Sequence, residues 1–314
     1  MPTGTISIVG VGSVGASIAY TLMLRGLARR ILLVDAQPEK ARGEALDLEH
    51  CTALVPAVEV RAVPLEEIGG SDIVIVTAGA KQKPGQTRLE LAGINVGLFR
   101  ALLPRIVERA PDAWLLIVSN PVDVLTYAAL RCTGLPERQV CGSGTVLDTG
   151  RLRNLIARRL AVSPSNVHAY IVGEHGDSEI ALWSSADVGG APLASLVIDG
   201  RDIHDAATQS ALLEETRRAA GKIIAAKGAT NWAIALATAR IVEAYLRDEN
   251  AILTVSRLLG GFPGVGDVCL AVPSLLSRAG VGPALPLQLS AGEQAGLDQS
   301  AKAVRAVIET FGLG

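Results

Sequence analysis

Short apolar runs alternate with amphipathic stretches through the first half of the chain. The runs are rich in β-branched residues and leucine, which predicts buried strands. They are TISIVGVG (5–12), ILLVDA (31–36), VEVRAV (58–63), SDIVIVTAG (71–79) and AWLLIVSNP (113–121). Strands that alternate with helices predict right-handed βαβ units and a parallel sheet covered on both faces.

Local signals place helices between these strands. The stretch SVGASIAYTLMLRGLARR (13–30) has apolar residues at helical spacing and ends on basic residues, which the helix macrodipole favours at that end. Pro38 suits the first turn of a second helix. A further helical segment covers roughly residues 87–109.

The pattern changes near residue 143. Beyond it, longer helices and a strand-rich middle replace the regular alternation, although no Gly/Ser linker, internal repeat or low-complexity tract marks the change. We therefore predict two domains, over residues 1–143 and 144–314.

Composition argues against several classes of protein. The 314 residues are 49% hydrophobic and 19% charged, which is typical of a folded globular chain. A formal net charge of −2 argues against a broad surface for nucleic acid or membranes. Apolar runs stop short of the roughly 18 residues of a membrane span. The start, MPTGTISIVG, lacks the basic region of a signal peptide.

The cysteines show neither a CxxC nor another metal-ligand spacing. They are Cys51, Cys132, Cys141 and Cys269. Reduced thiols in a cytoplasmic protein are the simplest interpretation. We therefore predict a cytoplasmic protein without a bound metal.

The turn after the first predicted strand carries an intact GxGxxG, formed by Gly10, Gly12 and Gly15. The signature is weak alone, but here it ends a strand and opens a helix, and Asp35 ends the next strand 20 residues after Gly15. Gly10 permits the tight turn, Gly12 admits a pyrophosphate to the backbone, and Gly15 lets helix and strand pack closely. Asp35 would bind the ribose hydroxyls and repel a 2′-phosphate. The pattern predicts NAD rather than NADP; a Gly-rich turn without a dinucleotide is the alternative.

Ligands of such sheets bind at the carboxyl ends of the strands. The segments there, TAGA (77–80) and VSNP (118–121), are candidates for the nicotinamide end of the site. Because Asn120 precedes Pro121, we expect extended backbone there, with a cis bond as an option.

Five longer motifs follow one another along the chain: GVGSVG (10–15), GAKQKPGQTRLELAGINV (79–96), SNPVDV (119–124), LDTGRLRN (147–154) and HAYIVGEHGDSE (168–179). In order and spacing they resemble the NAD-dependent L-lactate and malate dehydrogenase superfamily, from about residue 5 to 245. The resemblance implies an α/β fold, in which a Rossmann-type doubly wound parallel sheet precedes an α+β catalytic domain. Members of this family are usually tetrameric.

The resemblance assigns the chemistry to matched residues. Reduction of a 2-keto acid needs a hydride donor, a proton donor and an anchor for the substrate carboxylate. His175 matches the proton donor, a role that suits an imidazole. Asp148 matches the carboxylate that orients this ring, and Arg151 matches the bidentate clamp on the substrate carboxylate. Arg88 matches a residue that polarises the reacting carbonyl from a loop that closes over substrate.

Further site residues follow from the same resemblance. Asn120, Asp123 and Thr230 are expected to contact the substrate. The residues expected to bind NAD are Gly10, Gly12, Val14, Gly15, Asp35, Lys40, Thr77, Gly79, Ala80, Val118 and Asn120.

Each of these residues also has a plainer interpretation. A histidine is often an ordinary polar group, and an aspartate and arginine three residues apart, such as Asp148 and Arg151, usually form a surface pair. A metal site from His175, Asp177 and Glu179 is sterically conceivable, but no second histidine is well placed nearby. A noncatalytic NAD-binding sensor is a further alternative, although a sensor needs no proton relay.

Residue 82 is expected to decide the substrate. Malate enzymes of the family typically carry arginine there, opposite the second carboxylate of oxaloacetate. Gln82 leaves that charge unpaired at a cost of several kcal/mol, so it favours pyruvate and L-lactate over malate. Thr230 agrees with this choice, whereas the flexible ammonium of Lys81 could rescue some dicarboxylate binding.

Arg153 and His168 match a pair that binds fructose 1,6-bisphosphate between subunits in many bacterial relatives. Cationic side chains brought together across a symmetric interface repel until a phosphate joins them, so binding would favour the active assembly. The resemblance thus implies a homotetramer activated by this sugar bisphosphate. A subunit interface without an effector is the alternative.

Overall fold

The first half forms six parallel strands: the five that the apolar runs predict and a short sixth, at residues 140–142, that they do not. Helices follow most of the strands, but a single 3-10 turn, Leu65–Glu67, links the third strand to the fourth. The computed structural model describes residues 4–80, 85, 87–260 and 265–313. The strands are β1 (Thr5–Val9), β2 (Arg30–Val34), β3 (Glu59–Ala62), β4 (Ile73–Val76), β5 (Trp114–Ile117) and β6 (Val140–Gly142). The helices are α1 (Ser13–Leu24), α2 (Pro38–His50), α3 (Arg88–Arg109) and α4 (Val122–Thr133).

The order of these strands in the sheet is β3-β2-β1-β4-β5-β6. All neighbours pair in parallel. This is the order of a doubly wound dinucleotide-binding sheet, in which the chain reverses direction across the sheet between β1 and β4. The Rossmann-type prediction is therefore confirmed, and the carboxyl ends of β1 and β4 mark the expected ligand crevice.

The second half mixes helices with short strands and an antiparallel meander. Its helices are α5 (Val146–Leu160), α6 (Ala206–Lys227), α7 (Trp232–Leu246) and α8 (Ala291–Thr310). The short strands are β7 (Val167–His168), β8 (Ile171–Val172), β9 (Ile180–Ala181), β10 (Asp187–Val188) and β11 (Ala191–Pro192). The meander is β12 (Ala251–Leu258), β13 (Cys269–Ser277) and β14 (Gly280–Ala284).

The meander extends the sheet of the first half. Strand β12 pairs antiparallel with β6 through Ser256 and Gly142, which makes one mixed sheet of nine strands. A Cβ on Gly142 would lie 2.8 Å from the Cβ of Ser256, so the absence of a side chain at 142 permits this close pairing. The two halves of the chain therefore share a sheet rather than forming two separate ones.

Both faces of the parallel sheet are covered, as a period of two along each strand requires. Ile73 and Ile75 of β4 enter an apolar cluster with α1 and α7. Val74 and Val76 enter a second cluster with α3, α4 and α8 on the opposite face. Burying one such side chain stabilises the fold by roughly 1.5–3 kcal/mol. A third, smaller cluster joins α5 to β7 and β8.

Helix α1 ends earlier than the sequence pattern predicts. It stops before Arg25, because the chain turns at Gly26 in the left-handed region (φ +59°). Arg25, Arg29 and Arg30 therefore lie beyond the last turn, and the expectation of basic residues at the helix end is wrong. Arg25 instead pairs with Glu243 of α7 at 2.6 Å, which ties α1 to the second half of the chain.

Within the ranges that the structure describes, the helices are too short or too polar to cross a membrane. The four cysteines are free thiols, of which Cys141 and Cys269 are buried.

The turn before α5 packs tightly against β12. Gly144 has φ +53°, and a Cβ there would lie 2.5 Å from both the amide nitrogen of Ser256 and the carbonyl oxygen of Thr254. The amide of Thr145 also donates to the Thr254 carbonyl at 3.0 Å. This contact fixes where α5 begins relative to the sheet.

We expect Gly144→Ala to lower the free energy of unfolding by at least about 2 kcal/mol, because alanine adds a backbone clash to an unfavourable φ. Gly150→Ala is the matched control within α5, where an added Cβ would meet no atom of the described residues within 4 Å. This control should gain roughly 0.5–1 kcal/mol from helix propensity. Urea unfolding of both variants measures the difference; equal stabilities would contradict the packing argument.

Candidate active site

The loop between β1 and α1 forms an open backbone cradle. Gly10 has φ +99°, and a Cβ there would lie 2.5 Å from the amide nitrogen of Ala78. A Cβ on Gly15 would overlap the carbonyl oxygen of Gly10. A Cβ on Gly12 would meet open space, and Gly12 caps α1 without a side-chain hydrogen bond. The space at Gly12 and the amide end of α1 suit an anionic pyrophosphate.

Asp35 is anchored beside this cradle. Its Oδ2 accepts a hydrogen bond from the amide of Val11 at 2.7 Å, and its Oδ1 accepts one from the amide of Gln37 at 3.0 Å. Val14 lies half-buried in the first turn of α1, and Lys40 is exposed near the start of α2. An open backbone cradle next to an acidic acceptor fits NAD, whose pyrophosphate and ribose need these two features.

Asn95 of α3 joins the two strand-end segments expected at the nicotinamide. Its Oδ1 accepts from the amide of Ala80 and its Nδ2 donates to the carbonyl of Asn120, both at 2.8 Å. The bond between Asn120 and Pro121 is cis, the option that the sequence left open. Asn95 is 1% exposed, and sequence reasoning assigned it no role. The sequence signal that could have indicated a role for Asn95 is a polar side chain on the apolar face of a predicted helix.

Other predicted cofactor residues lie at the same edge of the sheet. Thr77, after β4, donates its hydroxyl to the carbonyl of Gly10. Val118, after β5, donates its amide to the carbonyl of Val76 at 2.9 Å. Gly79 is exposed nearby. The structure thus brings the carboxyl ends of β1, β4 and β5 together, and contact of each residue with NAD stays a prediction.

A buried carboxylate connects the predicted proton donor to the predicted substrate anchor. Helix α5 places Asp148 and Arg151 three residues apart, and Nη1 of Arg151 donates to Oδ1 of Asp148 at 2.7 Å. Oδ2 of Asp148 lies 2.5 Å from Nδ1 of His175. The Asp148 side chain is only 2% exposed, against 24% for His175. The pair of Asp148 and Arg151 is therefore not a solvated surface pair.

The charges of Asp148, Arg151 and His175 shift the pKa values of Asp148 and His175. The negative charge of Asp148 raises the pKa of His175 to about 9, against the opposing effect of burial. Burial alone would raise the pKa of Asp148, but His175 and Arg151 outweigh it, so that pKa is lowered. His175 is therefore protonated at neutral pH, next to an ionised Asp148. An imidazolium directed by a carboxylate is suited to donate a proton.

Asp123 of α4 holds the backbone of the histidine loop. Its Oδ2 accepts from the amide of His175 at 2.7 Å, and its Oδ1 accepts from the hydroxyl of Ser256 at 2.6 Å. Asp123 is 2% exposed, and burial raises its pKa to about 7 although both hydrogen bonds oppose the rise. Its contacts indicate that it supports His175, whereas the predicted contact with substrate stays a prediction. Ser256, on β12, was not singled out by sequence reasoning.

Arg88 stands at the rim of the site. It begins α3 and forms a two-point pair with Asp177, Nη1 to Oδ2 at 2.7 Å and Nη2 to Oδ1 at 3.1 Å. Asp177 follows His175 by two residues, so this pair joins α3 to the histidine loop. Thr230 lies half-buried in the link between α6 and α7. Gln82 lies outside the described residues.

The two predicted effector residues lie on neighbouring elements, Arg153 on α5 and His168 on β7. Nε of Arg153 donates to the carbonyl of Ala169 at 3.0 Å, and its guanidinium stacks 5.1 Å from the ring of Tyr170. His168 is exposed on β7, directly before Ala169. Both side chains therefore belong to one surface region of the chain.

The acids around His175 differ from those that the sequence suggested as a metal site. Asp177 pairs with Arg88 at the rim. Asp148, His175 and Glu179 instead bring potential ligand atoms within 4.8 Å of one another, and Glu179 is 2% exposed. The absence of a bound metal stays a prediction.

The fold and this group of residues define a dinucleotide-binding oxidoreductase. Residues 5–142 match the lactate/malate dehydrogenase, NAD binding domain, and residues 145–312 match the lactate/malate dehydrogenase, alpha/beta C-terminal domain. The chain belongs to the lactate/malate dehydrogenase family. The two matches meet near residue 143, where the predicted domain boundary stays a prediction.

Bacterial relatives match over nearly the full chain. An L-lactate dehydrogenase of Gloeobacter violaceus is 46% identical over 303 residues, which cover 96% of this chain and 92% of the relative. L-lactate dehydrogenase 1 of Clostridium acetobutylicum is 45% identical over 306 residues, 98% of each chain.

Solved structures agree in fold. The minor L-lactate dehydrogenase of Enterococcus mundtii, in a ligands-bound form, gives a TM-score of 0.94 at 41% identity and covers 99% of both chains. A lactate dehydrogenase from a Medee basin deep-sea metagenome library gives a TM-score of 0.95 at 36% identity, covering 99% of this chain and all of that one.

The contacts of Asp123 predict its effect on turnover. Asp123→Ala leaves the His175 amide and the Ser256 hydroxyl unpaired, so we expect kcat for keto-acid reduction to fall at least about tenfold with little change in KM. Asp123→Asn can still accept from the His175 amide and should recover most of this loss.

Ser256→Ala is the control, because it removes one hydrogen bond and leaves the amide of His175 paired. It should cost about 1 kcal/mol of stability with a small effect on kcat. Steady-state kinetics measures the effect of each variant on turnover, and denaturant unfolding measures its effect on stability. A rise in KM for the substrate without a fall in kcat in Asp123→Ala would favour direct substrate contact instead.

Proposed function

We propose that the protein is an NAD-dependent L-lactate dehydrogenase, which interconverts pyruvate and L-lactate. One observation carries the proposal: the buried carboxylate of Asp148 binds His175 and Arg151 at once, so a proton donor and a carboxylate anchor are held together. Full-length relatives that are 43–46% identical are L-lactate dehydrogenases. The match to the NAD-binding domain of the family supports NAD as the cofactor.

The residues of the chain have separable tasks in this reaction. NAD, when bound, supplies the hydride chemistry at its nicotinamide. The backbone at Gly12 and the acceptor Asp35 would hold it at the carboxyl ends of the strands. Arg151 binds the carboxylate of pyruvate, and its guanidinium geometry fits two parallel hydrogen bonds. Arg88 polarises the carbonyl that receives the hydride.

His175 transfers the proton. With a pKa near 9, it is protonated at neutral pH and donates to the oxygen of pyruvate as the alcohol forms. In the opposite direction the neutral ring must accept the proton of L-lactate. Pyruvate reduction is therefore favoured below this pKa, and lactate oxidation gains as the pH rises through it.

Asn120 and Thr230 complete the substrate pocket in this proposal. Asn120 bonds near the reacting oxygen and the nicotinamide, and the Asn95 bridge holds its backbone. Thr230 faces the small methyl group of pyruvate. Gln82, a neutral side chain, discriminates against a second carboxylate.

Substrate preference tests the proposal directly. With NADH, kcat/KM for pyruvate should exceed that for oxaloacetate by at least about 100-fold. Gln82→Arg should move the preference strongly toward oxaloacetate, because its guanidinium pairs with the second carboxylate. Gln86→Arg, which adds the same charge four residues further along the sequence, is the control and should keep the wild-type preference.

The outcomes separate the alternatives. Wild-type preference for oxaloacetate would make the protein a malate dehydrogenase and leave the proton relay intact. Tight NADH binding without oxidation by either acid would instead favour a noncatalytic NADH sensor.

Assembly and regulation extend the proposal. We infer a cytoplasmic homotetramer in which Arg153 and His168 bind fructose 1,6-bisphosphate between subunits. Their position on one surface region supports this, since a guanidinium and an imidazole can both hydrogen-bond one phosphate there.

Fructose 1,6-bisphosphate should raise kcat/KM for pyruvate at least about fivefold. Arg153→Gln should abolish this activation, because it removes the phosphate-binding charge. Arg158→Gln, at an exposed position on the same helix, is the control and should respond like wild type. Initial rates with and without the effector measure both. An unresponsive wild type, or equal activation of Arg153→Gln, would contradict the site.

A further inference from the structure

Glu179 is a buried acid that the mechanism above does not use. It lies directly before β9, four residues after His175, and is 2% exposed. Its carboxylate oxygen comes within 4.8 Å of ligand atoms of both Asp148 and His175. Its Oε1 has no hydrogen-bond partner among the described residues. A carboxyl group placed this close to the proton relay, with an unsatisfied oxygen, calls for a physical explanation.

Four ionisable groups face Glu179. Asp148 and Arg151 approach from α5, His175 from the preceding loop and Arg217 from α6. Arg217 directs its hydrogen bonds elsewhere: its Nη2 donates to the backbone carbonyl of Glu179 and its Nη1 to Glu214 at 3.1 Å. Its Nε is buried and, among the described residues, has no hydrogen-bond partner. An ionised Glu179 would therefore be a buried charge whose Oε1 receives no hydrogen bond from the described residues, and the repulsion of Asp148 would oppose the attraction of His175, Arg217 and Arg151.

Burial of a carboxyl group whose oxygen lacks a hydrogen-bond donor disfavours its ionised form. Burial first, and the charge of Asp148 second, raise the pKa of Glu179 to about 8, although His175, Arg217 and Arg151 oppose the rise. The geometry and the proton affinity thus agree on a neutral acid at neutral pH.

The charge of Glu179 acts on His175. The negative groups that raise the pKa of this imidazole are Asp148 from α5, Asp123 from α4 and Glu179. While Glu179 is neutral, Asp148 is the closest counter-charge of His175 among the described residues. Once Glu179 ionises, its negative charge adds to those of Asp148 and Asp123 and holds the proton on His175 more tightly.

We propose that Glu179 is a positioning residue, a buried carboxylic acid that is neutral at the working pH and whose ionisation sets how firmly His175 keeps its proton. The proposal rests on the proposed function, because His175 must be the proton donor for its effect on turnover. A neutral Glu179 leaves His175 able to release its proton to the substrate. An ionised Glu179 extends pyruvate reduction toward alkaline pH.

The pH profile of Glu179→Gln tests this role, because glutamine copies the neutral acid and cannot ionise. The ratio of variant to wild-type kcat/KM for pyruvate should fall as the pH rises from about 6 to about 9. The alkaline midpoint should drop by about 1 pH unit. Glu214→Gln, which removes a carboxylate from the same arginine on α6, is the control and should keep the wild-type midpoint. A constant ratio across the range would overturn the proposal.

Thermal unfolding of the ligand-free protein provides a second readout. A carboxyl whose pKa is raised on folding lowers stability as the pH rises from its unfolded pKa toward its folded one. The variant lacks this penalty, so its melting temperature relative to wild type should increase between about pH 5 and about pH 8. An unchanged difference would overturn the neutral-acid assignment. A wild type that melts as expected but does not reduce pyruvate would instead refute the proposed function.

Discussion

The site depends on the buried carboxylate of Asp148, which accepts hydrogen bonds from two side chains, His175 and Arg151. Asp148 loses most of its hydration at 2% exposure, and the short contacts with His175 and Arg151 offset that cost. A further hydrogen bond fixes the position of α5, which carries Asp148 and Arg151. The hydroxyl of Thr149 accepts from the amide of Ile171 at 3.0 Å and so joins α5 to β8. Asp148, His175 and Arg151 consequently form one connected group rather than three separately placed side chains.

Three buried carboxyl groups surround His175, and their partners explain why they behave differently. Asp148 binds two cations, and its pKa is lowered in spite of burial. Asp123 binds a backbone amide and a hydroxyl, which are neutral donors, and its pKa is raised to about 7. In the part of the chain that the structure describes, Oε1 of Glu179 receives no hydrogen bond, and the pKa of this acid is raised further, to about 8. Three carboxyl groups in one site therefore have different roles: Asp148 is a permanent charge, Asp123 holds the backbone of His175, and Glu179 is a neutral acid.

Much of this architecture was predictable, because buried strands and the GxGxxG loop leave local signals. Short, continuous apolar runs place β1 to β5 to within a few residues, and Asp35 stands where its spacing from Gly15 requires. The three-residue strand β6 was missed because so short a run carries little signal. The early end of α1 was missed because one glycine at 26 outweighs continuing apolar periodicity. The roles of Ser256 and Glu179 were missed because they arise from contacts between distant segments, 133 residues apart for Ser256 and Asp123. No local period records such contacts.

The shared sheet has a consequence for how the chain must be made. Strand β6 would be an open edge if the first half stood alone, with unpaired amides and carbonyls next to a large apolar surface. The meander β12–β14 closes that edge. During synthesis β6 emerges more than a hundred residues before β12, so the nascent Rossmann half carries a strand able to recruit other chains until its own C-terminal half arrives. Pairing of β12 with β6 thus protects the first half from aggregation as well as completing the site.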